Sequence, residues 1–414
     1  MSQEQDVVTK AGYIKLKQAI VTNNKGERVD ITSLIVEIKL FEDLFAPFMT
    51  GAITLLDAAA VVEQLPFFGQ ELLALELEGP GYPADPRAAR KTLFHIYKMG
   101  NLENLSTKGR VYTLYFQSIE ATVDLNSAIS RTFRGKISET VKTLAESPEF
   151  LASTKKVIIE ESSNSEIHTS NFWSPTKNIY YLANRAVNKN NNPSYTFFEN
   201  NEGFVFASLD YMASAEPATT FTKDQNNDRD LENSYATVLD MNNPVVFDYI
   251  DRVRTGYYGG KVYFYELESK KMNTKVLNPQ AEVKKVFLNK GNGIETGTTP
   301  FKAESQVSTN IVHNALHSIS PKSEVDIDLR RNFILSSINS HRVNIQVFGR
   351  LEYSVGQVIT LVAYTNTFID GTTPDDELVD KYLSGRYLIT AIAHEITPST
   401  HLCNMELCKD SFII

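Results

Sequence analysis

The chain has 414 residues, 42% of them hydrophobic and 22% charged, with 20 glycines, 15 prolines and a formal charge of −9. That length fits two to four domains of about 100–200 residues each, the apolar share excludes overall disorder, and the acidic balance excludes a protein held on nucleic acid by a basic footprint. Cys403 and Cys408 are the only cysteines; at odd separation on one predicted strand they are badly placed to pair, which excludes a disulfide-built secreted scaffold and favours assembly in a reducing cytoplasm.

The first ten residues, MSQEQDVVTK, carry no signal-peptide core. No apolar run approaches the ~20 residues of a membrane helix, so no stable membrane insertion is expected. In chain order, the first strong signal is Val36, Ile38 and Leu40 alternating with Glu37 and Lys39. Period two with one apolar face predicts a half-buried antiparallel strand. The segment 40–51 then connects this strand to a second, AITLLD, and holds Phe41, Leu44, Phe45 and Phe48. Four large apolar side chains in a connection are costly in water and mark a contact with another chain, unless the segment folds back on its own sheet. Leu73, Leu75 and Leu77 alternate in a further strand.

Helices are few. Ile137, Val141 and Leu144 follow helical spacing, and Ser174-Pro175 reads as an N-cap with proline at the first helical position, ahead of Ile179, Leu182, Ala183 and Ala186. Tyr195–Phe198 and Phe204–Phe206 flank an Asn/Gly-rich stretch and predict a β-hairpin. The stretches 213–231, 289–300 and 370–376 read as linkers or long loops. A third helix is predicted over 328–341, with Leu329, Phe333, Ile334 and Ile338 inward. Val343, Ile345 and Val347 alternate, as do Cys403, Met405 and Leu407, whereas Val358–Val362 is apolar on both faces. Such a strand is covered on both sides or meets a partner.

One internal echo stands out. Gly69-Gln70 precedes a strand, followed by strands at 94–104 and 111–121; Gly356-Gln357 precedes another, followed by strands at 387–397 and 401–411. The repeated order predicts two copies of one β-domain separated by unrelated material.

Motifs for chemistry are sparse. His313 and His317 sit at i, i+4 without a third metal ligand at a telling spacing. His394-Glu395 resembles the start of a zinc-protease motif, but His401 is too far along, and on one strand the two histidines face opposite sides. Asp224, Asn226, Asp228 and Asp230 alternate as in a calcium loop, yet Arg229 stands where the glycine is needed and Tyr235 where the glutamate is. The chain contains no GxxxxGK[ST], GxGxxG or GxSxG. No cofactor, metal or catalytic residue is expected.

Three segments carry a resemblance. FEDLFAPFMTGAITLLD (41–57) resembles the long hairpin that opens tube-forming tail proteins of contractile phages. SPTKNIYYLANRAVNKNNNPSYTFFENNEGFVFASLDYM (174–212) resembles the helix-plus-hairpin element of baseplate hub proteins. The third segment, 348–412, contains VGQVITLVAY and GRYLITAIAHEIT and resembles the C-terminal tube domain of the same hubs. The resemblance, over about half the chain, is to baseplate central hub proteins of contractile-tailed phages, of the T-even kind, and to hubs of contractile injection systems. It implies a mainly β (α+β) chain with two tube-type antiparallel β-barrel domains, 1–120 and 213–258 with 335–414, plus two smaller inserted α/β or β domains, 121–212 and 259–334.

It further implies a homotrimer whose six barrels form a ring. That ring would join tail tube or tube-initiator proteins to a central spike among other baseplate proteins, in a virion assembled in the host cytoplasm. DNA would pass through the channel without specific binding; three chains carry −27, a charge that fits either a channel wall that does not hold phosphate or an outward-facing surface. The candidate interface residues are Phe41, Leu44, Phe45 and Phe48 of the hairpin, and Val358, Thr360 and Val362 of the strand apolar on both faces. Two alternatives stand beside a structural hub: a tube initiator or other baseplate protein with one barrel, and a wall-degrading hydrolase of the tail tip.

Overall fold

The computed structural model describes residues 11–58, 61, 66–80, 84–106, 109–223, 231–245, 248–255, 257, 260–266, 270–277, 288–289, 306–312, 321–339, 341–364 and 379–412. The fold is mainly β and is dominated by one 13-stranded, largely antiparallel sheet. Its first part comprises β1 (Lys15–Thr22), β2 (Arg28–Asp30), β3 (Ile35–Asp43), β4 (Thr50–Asp57), β5 (Leu72–Glu78), β6 (Ala89–Ser106) and β7 (Gly109–Ser118). The alternation of Leu73, Leu75 and Leu77 points these side chains to one face, where all three are buried. β3 departs from strict alternation. Its pairing with β4 shifts register between Ile35 and Glu37, so Ile35 and Ile38 turn inward and Val36, predicted inward, faces solvent. A bulge adds one residue to one strand and breaks the period-two reading.

A segment of mixed structure follows, with helices at Ile119–Asn126, Ile137–Glu146, Pro175–Ala183 and Leu209–Ala213. Its strands are β8 (Thr132–Lys136), β9 (Val157–Ile159), β10 (Ser165–Thr169), β11 (Tyr195–Asn200) and β12 (Gly203–Ser208). The predicted cap holds, with the Ser174 hydroxyl accepting from the Lys177 N–H. Ile137, Val141, Leu144, Ile179, Tyr195, Phe197 and Phe206 build a core of their own here.

The second part of the large sheet contains β13 (Thr220–Lys223) and β14 (Val238–Val245), then β18 (His341–Phe348), β19 (Val358–Ala363), β20 (Gly385–Thr397) and β21 (Thr400–Lys409). Between them, β15 (Gly260–Glu266), β16 (Lys271–Leu277) and β17 (Gln306–Val312) form a three-stranded sheet beside a helix at Pro321–Ile338. That helix begins earlier than predicted and ends before His341, the first residue of β18. Leu329, Phe333, Ile334 and Ile338 face inward as expected and join the core of the second part. The predicted linker 213–231 contains β13, whose short TFTK run gives no periodic signal; it pairs in parallel with β19. His313, His317, the run 224–230 and the loop 370–376 lie outside the described residues.

Two separate apolar cores underlie the large sheet, one around Ile38, Leu55, Leu75, Phe94 and Phe116, the other around Phe221, Ile345, Leu361, Tyr387 and Leu407. Each fully buried side chain of this size contributes about 1.5–3 kcal/mol.

Candidate subunit interface

The two parts of the large sheet repeat one another. The order β3-β4-β7-β6-β5-β1 in the first matches β14-β18-β21-β20-β19-β13 in the second. Details match too. The register between β6 and β7 shifts at Ile96/Lys98, and that between β20 and β21 at Ile389/Ala391. Gly69 and Gly356, which open the equivalent strands β5 and β19, have φ of +82° and +86°, a region glycine enters without steric cost. The Ile96 N–H donates to the Glu71 carbonyl and the Ile389 N–H to the Gln357 carbonyl, both at 2.9 Å. The copies differ at their ends, since β1 runs antiparallel to β5 while β13 runs parallel to β19.

The copies meet through one strand. The first residues of β20 pair with β19, and beyond the bulge Ala391–Ile396 pair with Asp43–Ile38 of β3. β6 has the same two-part design: Ala89–His95 pair with β5, and after its bulge the strand continues to Ser106. Among the described residues that second stretch pairs on one side alone, with β7, and β14 pairs on one side alone, with β18. β6 and β14 are thus the unfilled counterparts of β20 and β3. Tyr97, Leu102 and Leu105 project into solvent from or beside the β6 edge, and Leu239 from β14. Unpaired, apolar strand edges are templates for pairing with another chain.

The predicted hairpin residues divide. β3 and β4 run further than expected, to Asp43 and from Thr50, so a short turn connects them. Leu44 continues the ladder, its N–H donating 2.9 Å to the Thr390 carbonyl, and is enclosed in the core of the second part. Phe48 packs edge-on against Phe204 at 6.2 Å. Phe41 and Phe45 remain 40% and 45% exposed. In the strand apolar on both faces, Ile359, Leu361 and Ala363 are buried on one face; on the other, Val358 is buried and Thr360 and Val362 are half-buried, the last two paired with Thr220 and Thr222 of β13.

One face of the eight strands from β14 to β6 is polar and continuous. Residues directly paired across strands share a face. One row reads Asn242, Asn344, Glu406, Ala391 and Asp43. The next reads Asp240, Gln346, Asn404, Ala393, Phe41, Thr50 and Gln117. Lys39 lies on this face with Glu37 at 3.4 Å and Glu395 at 3.5 Å. Lys98, paired with Tyr115, and Arg342, two residues before Asn344 on β18, share this face, and Glu37, Glu395, Asp43, Asp240 and Glu406 outnumber these three cations.

A buried ion pair fixes the junction behind this face. Arg90 Nη2 lies 2.6 Å from Glu42 Oε1, with both side chains almost wholly buried. Glu42 Oε2 accepts from the Val355 N–H at 3.2 Å. Arg90 Nε donates to Asn201 Oδ1 at 2.8 Å, and Asn201 Nδ2 donates to the Leu351 carbonyl at 2.8 Å. One guanidinium therefore links β6, β3, the β11–β12 turn and the loop ahead of β19. Burial pushes the Glu42 carboxyl up, and Arg90 opposes the shift.

Beside the β20–β3 joint, His394 and His401 converge, against the expectation that they face opposite sides. They stand on different strands of the β20–β21 hairpin; the turn, not distance along one strand, sets their geometry. Cys403 is the direct cross-strand partner of His394.

No protein-family model matches the chain, and no curated protein matches it. Solved structures do. The tail protein from Neisseria meningitidis MC58 is similar with a TM-score of 0.58 at 11% identity, over 95% of this chain and 96% of that one. The 43 kDa tail protein of prophage MuSo2 from Shewanella oneidensis is similar with a TM-score of 0.54 at 9% identity, over 95% of this chain and 99% of that one. The chain has the fold of these phage tail proteins.

Proposed function

We propose that the chain is a non-enzymatic structural hub of a contractile phage tail baseplate, working as a homotrimer. In this reading each repeat is a tube-type barrel, 1–120 and 213–258 with 335–414, and 121–212 and 259–334 are smaller inserted domains. The observation that carries the proposal is the pair of unfilled edges. The β20–β3 joint inside the chain is a template for a joint between chains, β6 of one against β14 of the next. Strand directions agree with this, because the eight strands alternate and a β6–β14 pairing would again be antiparallel. Three such joints close a ring of six barrels, and closure fills the β6 and β14 edges without open-ended growth.

Twenty-four strands, eight from each chain, would then present their polar, acidic face to a channel. DNA could slide past such a wall without being held, since among the described residues named on this face the acids outnumber the bases. One rim would dock tail tube or tube-initiator proteins and the other the trimeric spike, with further baseplate proteins around, in a virion assembled in the host cytoplasm. The repeated strand order favours this over a single-barrel initiator. The test is covalent: cysteines at Leu102 in β6 and Asn242 in β14 should oxidise to a disulfide-linked trimer, while either substitution alone should not. A chain that stays monomeric at high concentration and forms no such cross-link refutes the ring.

A further inference from the structure

His394, His401 and Cys403 form a group of donors that nothing in the hub role uses. All three are fully buried. Among the described residues their ligand atoms lie within 4.8 Å of one another. His394 Nδ1 is 3.0 Å from His401 Nε2, and Cys403 Sγ is 3.2 Å from the first and 3.6 Å from the second. An ion bound tetrahedrally at about 2.0–2.1 Å from nitrogen and about 2.3 Å from sulfur separates its donors by ~3.3 Å (N···N) and ~3.6 Å (N···S). The triangle is therefore close to the size of one face of such a site.

His401 Nδ1 closes no hydrogen bond, whereas His394 is bonded to the Tyr353 backbone. With each imidazole protonated on its outward nitrogen, the two inward nitrogens and the Cys403 sulfur aim lone pairs at one point. A single shared proton bridges only two of these atoms, whereas a cation at the centre satisfies all three at once. The backbone pins the cluster. His401 donates its N–H to the Gly12 carbonyl at 2.8 Å and accepts the Gly349 N–H at 2.8 Å. A Cβ at Gly349 would stand 2.3 Å from the His401 ring, so only glycine leaves room for it.

We propose that His394 Nδ1, His401 Nε2 and Cys403 Sγ bind one zinc-type transition-metal ion, with a water in the fourth position. The imidazoles are ready to ligate: burial holds His394 well below its usual value and takes His401 down to about 3, so both are neutral. Burial raises the Cys403 thiol, which opposes ionisation, but a coordinating metal reverses that by releasing the thiol proton to solvent. Both imidazoles keep their protons on the outward nitrogens. Because His394 pairs with Leu40 of β3, the ion would sit at the joint between the two repeats and brace it.

The test titrates the untagged full-length chain, first stripped with a chelator, with Co²⁺ and then Zn²⁺. The expected result is about one Co²⁺ per chain, with tetrahedral visible absorption and a near-ultraviolet thiolate-to-cobalt band that Zn²⁺ abolishes. Cys403→Ser should lose the band. Cys408→Ser should keep it, because Cys408 contacts Thr390 and Asn339 instead. Should Cys403→Ser not fold, the unaltered chain decides alone. Failure to bind stoichiometrically, or binding without a thiolate band, overturns the site. Trimer formation is a separate readout, so either proposal can fail without the other.

Discussion

Replacing Arg90 with methionine removes the cation but keeps most of the side-chain volume, and strands the Glu42 carboxylate in a site where neither side chain reaches solvent. Breaking a buried pair from one side costs about 3–5 kcal/mol, because the remaining charge is uncompensated. Glu42 can escape part of this by taking up a proton. Its carboxyl is already raised by burial, and loss of Arg90 removes the two largest opposing influences. A raised acid pKa means that the native state binds the proton more tightly than the unfolded state does. Stability therefore falls as pH rises above the unfolded value near 4.5, at up to ~1.4 kcal/mol per pH unit. The Arg90→Met defect should thus be largest at neutral pH and shrink on acidification toward about pH 5. Glu42→Gln together with Arg90→Met should recover most of the loss, since a neutral pair of similar volume carries no stranded charge. Urea unfolding of the wild type, both single variants and the double variant, at two pH values, gives the full cycle. A loss below about 1 kcal/mol for Arg90→Met, or a loss that does not change with pH, refutes the reasoning.

Phe45→Asp should abolish trimerisation or tube docking while leaving circular dichroism intact; unchanged assembly would remove the hairpin turn from the proposed interface. Glu166 is buried, its carboxylate oxygens close no hydrogen bond, and Arg185 Nε stands 3.8 Å away. Burial pushes its carboxyl up to about 7, with Arg185 opposing and Glu324 adding. The native state therefore holds this proton longer than the unfolded chain, and the protein should gain stability on acidification from about pH 8 to about pH 6. Glu166→Gln should flatten that slope in thermal melts, and a slope unchanged by the substitution would assign it to other groups.

The strands with clean alternation were readable because one face of each meets a core, as with Leu73, Leu75 and Leu77 or Val343, Ile345 and Val347. The repeat was readable too, since Gly69 and Gly356 are required by the same backbone turn. β13 escaped because four residues, TFTK, show no period and gain their place from β19. Val36 was misassigned because a bulge depends on the partner strand and not on the residue itself. Of the candidate interface residues, Phe41 and Phe45 lie at the surface, but Leu44 joins a core whose other members lie between Phe198 and Cys408. Arg90 with Glu42, and His394 with His401 and Cys403, were invisible for the same reason: each set is assembled by strand pairing, which local sequence does not encode.

The two-part strand β20 also bears on how a ring could come into being. In six separate molecules every joint would depend on collision, and the yield would fall steeply with dilution. In the proposed ring half the joints would be tethered within one chain and form as it folds, at an effective concentration set by the connecting segments and not by the cell. Closure then needs three bodies instead of six. The junction that forms during folding can also be checked by stability before any partner is met, so a chain with its repeats misaligned would fail alone and not as a defect built into the proposed ring.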